Sequence, residues 1–171
     1  KSQFIAYAKR TQGITEAKSF IHHLREKYPD ARHHCYAYLA GSPADSNQYG
    51  FSDDNEPSGT AGMPIFTHLK HSGLGEVTLV VVRYFGGTKL GTGGLARAYG
   101  DAAKAVLQVL PTQTHVAMRT QFLTMDFSQE AEVRKKIEKV RGTIKTVNYG
   151  QQVEMEVEIP ESGELALPCS V

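Results

Sequence analysis

The chain has 171 residues, and its 19 basic and 18 acidic side chains give a formal net charge of +1. Its composition, 40% hydrophobic and 22% charged, is that of a globular protein, and its length suits one large domain or two small ones. Two cysteines exclude a disulfide framework, and we find no signal peptide and no apolar run of membrane-spanning length. We therefore expect a cytoplasmic protein that does not contact a membrane.

The first 110 residues alternate between strand-like and helix-like patterns. Residues 77–82 are all β-branched or aliphatic, which predicts a strand buried on both faces. Alternation along 32–40 places His33 and Cys35 on one strand face and His34 and Tyr36 on the other. The predicted elements are strands over 2–9, 32–40, 48–51 and 77–82, and helices over 15–28, 60–71 and 94–110. For the last helix the apolar spacing predicts a buried face of Leu95, Ala98, Ala102, Ala105, Val106 and Val109.

Five glycines follow the buried strand within nine residues, directly after Arg83, Tyr84 and Phe85. They are Gly86, Gly87, Gly91, Gly93 and Gly94. Because glycine is costly to order, such a segment needs positive φ angles or a close approach of its backbone to something else. The segment is either a tight connection between strand and helix, or a loop whose backbone N–H groups bind an anion at the start of the helix.

Two nucleotide-binding motifs are excluded or weak in this segment. Thr92 follows Gly91 where a P-loop requires lysine. The run from Gly91 to Ala96 fits the dinucleotide pattern, but its glycines lie several residues after the strand, and no acidic residue follows at the required distance. We expect no bound cofactor.

An acidic loop precedes the second predicted helix. Asp53, Asp54 and Glu56 could form a metal or general-base cluster, but their spacing is not that of an EF-hand. Neighbouring carboxylates on a loop are usually solvated or cap a helix, and Ser58 or Thr60 could cap the helix that follows. The structural interpretation is favoured for this loop.

His33 and Cys35 lie two residues apart on one strand face, a spacing that could hold zinc. No CxxC or HxxxH pair supplies the two further ligands, so we expect no metal. No residue lies on a nucleophile elbow either, so we assign no catalytic residue.

The chain changes character at Pro111. Residues 1–111 carry 12 basic and 9 acidic side chains, a net charge of +3, whereas residues 112–171 carry 7 and 9, a net charge of −2. Ten of the sixteen glycines fall between Gly59 and Gly100. We therefore predict two domains, 1–111 and 112–171.

The second domain has a β-α-β-β pattern, which is the first two-thirds of a ferredoxin-like unit. We predict strands over 118–127, 143–149 and 151–159, and a helix over 128–141 with Ser128 as its N-cap and Gly142 at its C-terminal cap. Residues 161–171 are too short for the missing helix and strand, and they contain Pro168. The domain is therefore expected to be an incomplete ferredoxin-like domain.

The last strand argues against one function of such domains. Alternation places Glu154, Glu156 and Glu158 together on its outer face. Ferredoxin-like RNA modules bind single strands on that face with aromatic and positively charged side chains. We therefore expect no RNA on this sheet.

Three segments carry a family resemblance. They read ARHHCYAY at 31–38, GFSDDNEPSGTAG at 50–62, and RYFGG followed by LG and GGL within 83–95. Together and in this order they resemble the IMPACT family, in its bacterial YigZ branch. Relatives usually have glycine where Asn55 stands, and asparagine tolerates the same left-handed turn.

The resemblance implies a fold and a function. The fold would be α/β: a first domain like domain 2 of ribosomal protein S5, then a small domain like the last domain of elongation factor G. Eukaryotic members are regulators that act by protein binding and damp the shutdown of translation initiation during amino-acid starvation. The implied function is thus a cytoplasmic, non-enzymatic regulator of translation in a stress response, binding a ribosome-linked protein or structured RNA.

A different class of function stays open. Small-metabolite kinases share the S5-like fold and bind phosphate at a glycine-rich helix start, so the segment from Gly86 to Gly94 could bind a phosphorylated small molecule in an enzyme or sensor. In either case the three segments should converge. A charge at Arg83, at the end of a buried strand, needs a partner. We predict a pair within about 4 Å between Arg83 and Asp53, Asp54 or Glu56, with His33 nearby.

Overall fold

The computed structural model describes residues 1–163 and 165, and the contacts between residues divide the chain after Pro111 into two compact units. Within the described ranges, no helix combines the length and hydropathy needed to cross a membrane. The first unit contains β1 (Gln3–Arg10), α1 (Ile14–Lys27), β2 (His33–Leu39), β3 (Tyr49–Ser52), α2 (Gly62–His71), β4 (Val77–Tyr84) and α3 (Gly91–Val109). The predicted mixed α/β class is confirmed.

The first unit is built on a four-stranded antiparallel sheet in the order β1-β4-β2-β3. Strand β4 lies inside the sheet and is buried from Val77 to Arg83, as its continuous apolar run predicts. Successive side chains of β2 point to opposite faces of the sheet, so they belong to two separate apolar layers. Cys35 and its neighbours on one face pack with α2 and α3, whereas Tyr36 and Tyr38 on the other face pack with α1.

The helix α3 differs from its prediction in both its start and its buried face. It begins at Gly91, three residues before the predicted start, so Gly93 and Gly94 belong to its first turn. Its buried residues are Leu95, Tyr99, Gly100 and Ala103. The predicted members Ala105 and Val109 are exposed, Val109 by 77%. The helix therefore buries a different face from the predicted one. Its alanines lie on several sides, so the apolar spacing alone does not select the buried face.

The second unit contains β5 (Met118–Met125), α4 (Glu130–Lys139), β6 (Thr143–Tyr149) and β7 (Val153–Pro160). Its sheet has the order β5-β7-β6, and β7 is antiparallel to both neighbours. Strands β5 and β6 are therefore parallel and connected by α4, with β7 inserted between them. This is a split β-α-β arrangement, and it agrees with the predicted β-α-β-β pattern.

The N-terminal end of α4 is not capped by Ser128, which was the prediction. A 3₁₀ turn, Phe127–Gln129, precedes the helix, and the backbone N–H of Asp126 donates to the side-chain oxygen of Gln129 at 3.0 Å. The helix itself begins at Glu130. The residues that organise this end are thus Asp126 before the turn and Gln129 at its last position, and not Ser128.

Gly142 is also used differently from the prediction. The left-handed residue after α4 is Arg141, with φ 59°. A Cβ on Gly142 would lie 2.8 Å from the side chain of Ile159 and 2.9 Å from that of Ile137. Glycine is therefore needed here for close packing of the helix end on the sheet.

The outer face of β7 carries the three predicted glutamates. Val153, Met155, Val157 and Ile159 are buried, and Glu154, Glu156 and Glu158 alternate with them. The prediction that residues 161–171 add no further helix and strand lies outside the described residues, apart from 161–163 and 165.

Candidate functional site

The acidic loop is held in place first by Asp53. Its Oδ1 accepts hydrogen bonds from the backbone N–H groups of Ala61 at 3.0 Å and Gly62 at 2.8 Å, and its Oδ2 accepts one from Gly59 at 2.8 Å. Partial burial raises the pKa of Asp53, but the three N–H donors outweigh it, so this pKa lies below its usual value. The carboxylate therefore caps the N-terminal end of α2 and is charged at neutral pH.

This geometry corrects the predicted cap. Thr60 donates its hydroxyl to the carbonyl of Pro57 at 2.6 Å, and no hydrogen bond of Ser58 to α2 occurs within the described residues. The capping group comes from eight and nine residues upstream instead of from the adjacent residues. Asp53 thus has the structural role that the sequence favoured for this loop, although it caps the helix from beyond the range of local capping rules.

Asp54 ties the same loop to α1 and β2. Its Oδ1 lies 2.7 Å from Nη2 of Arg25, and its Oδ2 accepts the backbone N–H of His34 at 2.7 Å. Asp54 and Asn55 have φ angles of 41° and 68°, so the left-handed turn expected at Asn55 is present.

His33 sits between the two ends of the acidic loop and is half-buried. Its Nδ1 lies 2.9 Å from the carbonyl oxygen of Asp54. A carbonyl only accepts, so Nδ1 carries a proton. Nε2 lies 3.9 Å from Oε1 of Glu56, which places His33 beside the buried carboxylate as predicted.

Arg83 pairs with Glu56, which confirms the predicted contact and selects one of the three candidate carboxylates. The two side chains are 6% and 4% exposed, and Nη1 lies 2.5 Å from Oε1. The hydroxyl of Tyr99 donates to the same Oε1 at 2.8 Å. Glu56 thus joins the end of β4 to α3 and to the acidic loop. We call Arg83, Glu56, Tyr99 and His33 the polar node.

The guanidinium of Arg83 also fixes the start of the glycine segment. Its carbon lies 5.4 Å from the ring centre of Phe4 and 5.6 Å from that of Phe85, so two aromatic rings enclose it. Its Nη2 donates to the hydroxyl oxygen of Ser2 at 3.4 Å, and the N–H of Gly86 donates to the same oxygen at 3.3 Å. The polar node is therefore continuous with Gly86.

Cys35 lies under the acidic loop and is fully buried. Its thiol donates to the carbonyl of Asp53 at 3.0 Å. Burial, with the nearby carboxylates of the loop, raises the pKa of Cys35 to about 12, although Tyr99 acts in the opposite direction. Burial also raises the pKa of Tyr99 far above its usual value. Both groups are protonated at neutral pH, so neither supplies a nucleophile or a thiolate ligand there.

Metal-ligating side chains are not gathered in this region. In residues 1–163 and 165, no group of three or more His, Cys, Asp and Glu side chains is placed to hold a metal ion.

The glycine segment has both positive φ angles and a close approach of its backbone to another segment, the two features for which glycine is needed. Gly87 and Gly91 have φ angles of 83° and 73°. A Cβ on Gly86 would lie 1.9 Å from the carbonyl carbon of Lys1, so only glycine fits against that backbone. A Cβ on Gly93 would meet no atom within 4 Å.

The structure joins only part of the predicted site. The polar node links His33, Glu56, Arg83 and Gly86. Asp53 and Asp54 are not part of the node. They fix the acidic loop through bonds to the start of α2, to α1 and to β2. Among the described residues, no hydrogen bond connects the polar node to the later glycines Gly91, Gly93 and Gly94. Tyr99 was missed, and its only signal in the sequence is a tyrosine four residues after Leu95, in phase with the buried stripe.

Comparison with known proteins identifies the family of both units. The family model of the Impact N-terminal domain matches residues 1–107, and that of a domain of unknown function, DUF1949, matches residues 123–167. IMPACT family member YigZ of Escherichia coli (strain K12) is 44% identical over 160 residues, which are 94% of this chain and 78% of that protein. An IMPACT family member of Haemophilus influenzae is 42% identical over 161 residues, with the same two coverages.

A more distant relative and a solved structure agree. IMPACT family member YvyE of Bacillus subtilis (strain 168) is 34% identical over 161 residues, which are 94% of this chain and 73% of that protein. A structure described as "Crystal structure of an hypothetical protein" is 44% identical, with a TM-score of 0.69 over 94% of this chain and 78% of that one. By its motifs, its family models and these relatives, the chain belongs to the IMPACT family.

Proposed function

We propose that this IMPACT family protein is a cytoplasmic, non-enzymatic regulator of translation that binds a ribosome-linked protein or structured RNA through its first unit. The observation that carries the proposal is the polar node: Arg83, Glu56 and Tyr99 hold the acidic loop, β4 and the start of the glycine segment together. One residue from each of the three segments that carry the family resemblance, His33, Glu56 and Arg83, thus belongs to this node. The role in a stress response comes from the family resemblance.

The buried groups of this region suit positioning more than bond-making chemistry. Asp53 is saturated by backbone donors, Asp54 by Arg25 and His34, and the thiol of Cys35 is protonated. A carboxylate engaged in this way holds a loop in one conformation. A rigid loop lowers the entropic cost of binding a macromolecule.

The surface that the node supports is exposed and partly apolar. We call residues 85–94 the glycine-loop surface. Phe85 is 49% exposed and Leu90 is 42% exposed, with Lys89 between them in the sequence. Apolar side chains displayed beside accessible backbone are typical of the centre of a protein interface, and a cation at the edge steers association.

Co-sedimentation with ribosomes tests the proposal. Leu90→Asp places a charge on the glycine-loop surface and should reduce the sedimenting fraction at least tenfold, whereas Val109→Asp, a more exposed apolar site at the other end of α3, should not. Nuclease treatment of the ribosomes separates a protein target from an RNA target. The proposal fails if the wild-type protein does not sediment at physiological salt, or if both variants behave alike.

A second candidate function rests on the start of α3. The first turn of this helix contains no acidic residue, and Leu90 at its N-cap position provides no side-chain acceptor. Unsatisfied N–H groups at such a helix start favour an anion, and Lys89 adds a positive charge next to it. The segment from Gly86 to Gly94 would then bind a phosphorylated small molecule in an enzyme or sensor.

A thermal-shift screen with nucleotides and phosphorylated metabolites distinguishes the two functions. A ligand at 100 times its Kd should stabilise the protein by about 2.7 kcal/mol. A large shift with one metabolite, together with no co-sedimentation, supports the small-molecule function. Co-sedimentation without such a shift supports the binding protein.

A further inference from the structure

An open groove with a volume of about 450 Å³ lies between α2 and α3, outside the polar node. Met63 and Pro64 of α2 and Ala96 of α3 form much of its lining. Arg97 and Asp101 project from α3 along the same groove. The lining is therefore mixed: besides these three apolar side chains, it contains Thr67 and His68 of α2 and the charged groups of α3.

Close helix packing forms the base of this groove. A Cβ on Gly100 would lie 3.0 Å from Nε2 of His68, so the two helices approach each other because residue 100 has no side chain. Met63 at the rim is 44% exposed. Methionine adapts its shape to an incoming apolar side chain, and it is common at protein-binding grooves.

The helices that form the groove carry uncompensated positive charge. Lys70 on α2 and Arg97 and Lys104 on α3 oppose only Asp101, and α2 contains no acidic residue. Within residues 1–163 and 165, none of these four side chains forms an ion pair. A partner that supplies carboxylates would therefore gain charge complementarity along both helices.

The lining favours a polypeptide over a nucleic acid. Asp101 would repel a phosphate backbone, and the apolar side chains of Met63, Pro64 and Ala96 offer phosphates nothing to bind. An amphipathic helix, by contrast, places apolar residues in a groove between helices and charged residues on its rims. We propose that the α2–α3 groove docks an acidic, amphipathic helix of a protein partner.

This inference rests on the proposed function and extends it. The groove reaches Gly59, which follows the acidic loop, and Ala96, which follows the glycine-loop surface. A partner that contacts the glycine-loop surface can thus continue into the groove without crossing the sheet. The inference names the chemistry of the protein partner: leucine-like side chains on one face and carboxylates on the flanks.

A synthetic peptide provides a defined probe. It is a helix of roughly 18 residues with leucines at i, i+3, i+4 and i+7 and glutamates on its flanks. Its control has the same composition in an order that scatters the leucines. With the full chain, the amphipathic peptide should shift backbone amide resonances of α2 and α3, and the control should not. Arg97→Glu should weaken binding at least tenfold, whereas Lys18→Glu on the exposed side of α1 should not.

Several results would overturn the inference. They are equal binding of the scattered peptide, resonance shifts confined to other elements, and an Arg97→Glu variant that binds like the wild type. A single-stranded RNA that competes with the peptide for these helices would also overturn it, because the groove would then be a nucleic-acid site. If Leu90→Asp abolishes ribosome co-sedimentation and Arg97→Glu does not change it, the groove inference fails and the proposed function stands. If the peptide binds as expected but the wild-type protein does not sediment, the proposed function fails and the groove remains.

Discussion

Nη1 of Arg83 and Oε1 of Glu56 form an ion pair that is almost completely removed from solvent. Removing two charges from water costs nearly as much as their attraction returns, so the net stabilisation of such a pair is small. Removing one partner is different, because the other is left charged and buried. The pair therefore specifies the position of the acidic loop more than it stabilises the fold.

A double substitution tests this. Arg83→Met should lower the free energy of unfolding by about 3–5 kcal/mol, and Arg83→Met combined with Glu56→Gln should recover most of that loss. Urea unfolding followed by circular dichroism measures both. The exposed pair Arg10–Glu76 is the control, and Arg10→Met should cost less than about 1 kcal/mol. A double variant as unstable as Arg83→Met would contradict the argument.

The same double variant separates stability from function. It restores a neutral, packed interior but cannot hold the acidic loop through a charged hydrogen bond. We therefore expect it to remain folded while its ribosome co-sedimentation stays reduced. Wild-type sedimentation by the double variant would show that the pair does not position the binding surface.

Asp53 should contribute to stability as long as its carboxylate is ionised. Its pKa is lowered in the folded protein, so its contribution is fully present above the unfolded-state pKa of about 3.9 and is lost as the pH falls through the folded-state value. Asp53→Ala should cost about 2 kcal/mol at pH 7, because three backbone N–H groups lose their acceptor. Asp53→Asn should reduce the acid dependence of unfolding below pH 4.

The control for this prediction is Asp101→Asn on the exposed side of α3, which should change the unfolding free energy by less than about 0.5 kcal/mol. Chemical unfolding at a series of acidic pH values gives both comparisons. An Asp53→Asn variant with the wild-type pH dependence would show that the cap is not charged in the folded state.

Cys35 should resist alkylation in the folded protein. Its side chain is fully buried and its pKa is raised to about 12, so at pH 8 almost no thiolate is present to react. Labelling with iodoacetamide, located by mass spectrometry at the peptide that contains Cys35, should proceed only as fast as the unit opens. Addition of urea should accelerate it strongly. Rapid labelling in native buffer would mean that the acidic loop opens readily.

Contacts could be predicted from the sequence where a single physical requirement leaves few alternatives. A charge at the end of a buried strand needs a partner, and this predicted the pairing of Arg83 with a carboxylate of the loop. Period-two alternation likewise predicted the faces of β2 and the glutamate row on β7, because a strand leaves only two possible faces.

The sequence was insufficient where a contact depends on helix phase or on distant residues. Tyr99 contacts Glu56 because the buried face of α3 contains Leu95, Tyr99 and Ala103. Alanines on the neighbouring faces make those faces equally apolar in the sequence, so the buried face could not be identified. Asp53 caps a helix that starts nine residues later, beyond the range of capping rules that consider adjacent positions.

The connection between the two units should be the first site of proteolysis. Residues 112–117 have no regular structure and are exposed, and the chain divides into its units after Pro111. Limited digestion should cut between about Leu110 and Val116 and leave two protected fragments that correspond to domains 1–111 and 112–171. A single protected fragment that spans this point would show that the units do not fold as separate domains.

The open sheet face of the second unit should not bind single-stranded RNA. Glu154, Glu156 and Glu158 share this face, and Glu156 lies directly opposite Phe122, which is 77% exposed. The phenylalanine could stack on a base, but the three carboxylates would repel the phosphates of the same strand. Among the described residues, a lysine pairs with Glu158 alone of the three, Lys145 at 2.8 Å.

Ultraviolet crosslinking of a single-stranded RNA to the full chain tests this prediction. Phe122 should not be among the crosslinked residues, and any affinity of this face should be no tighter than non-specific binding, roughly 10⁻⁴ to 10⁻⁶ M at physiological salt. Glu156→Lys should strengthen RNA binding, because it removes a repulsive charge from the centre of the face, whereas Lys145→Glu should not. A nanomolar, salt-sensitive complex that crosslinks at Phe122 and is lost in Glu156→Lys would show that the glutamates contribute to RNA recognition instead of opposing it.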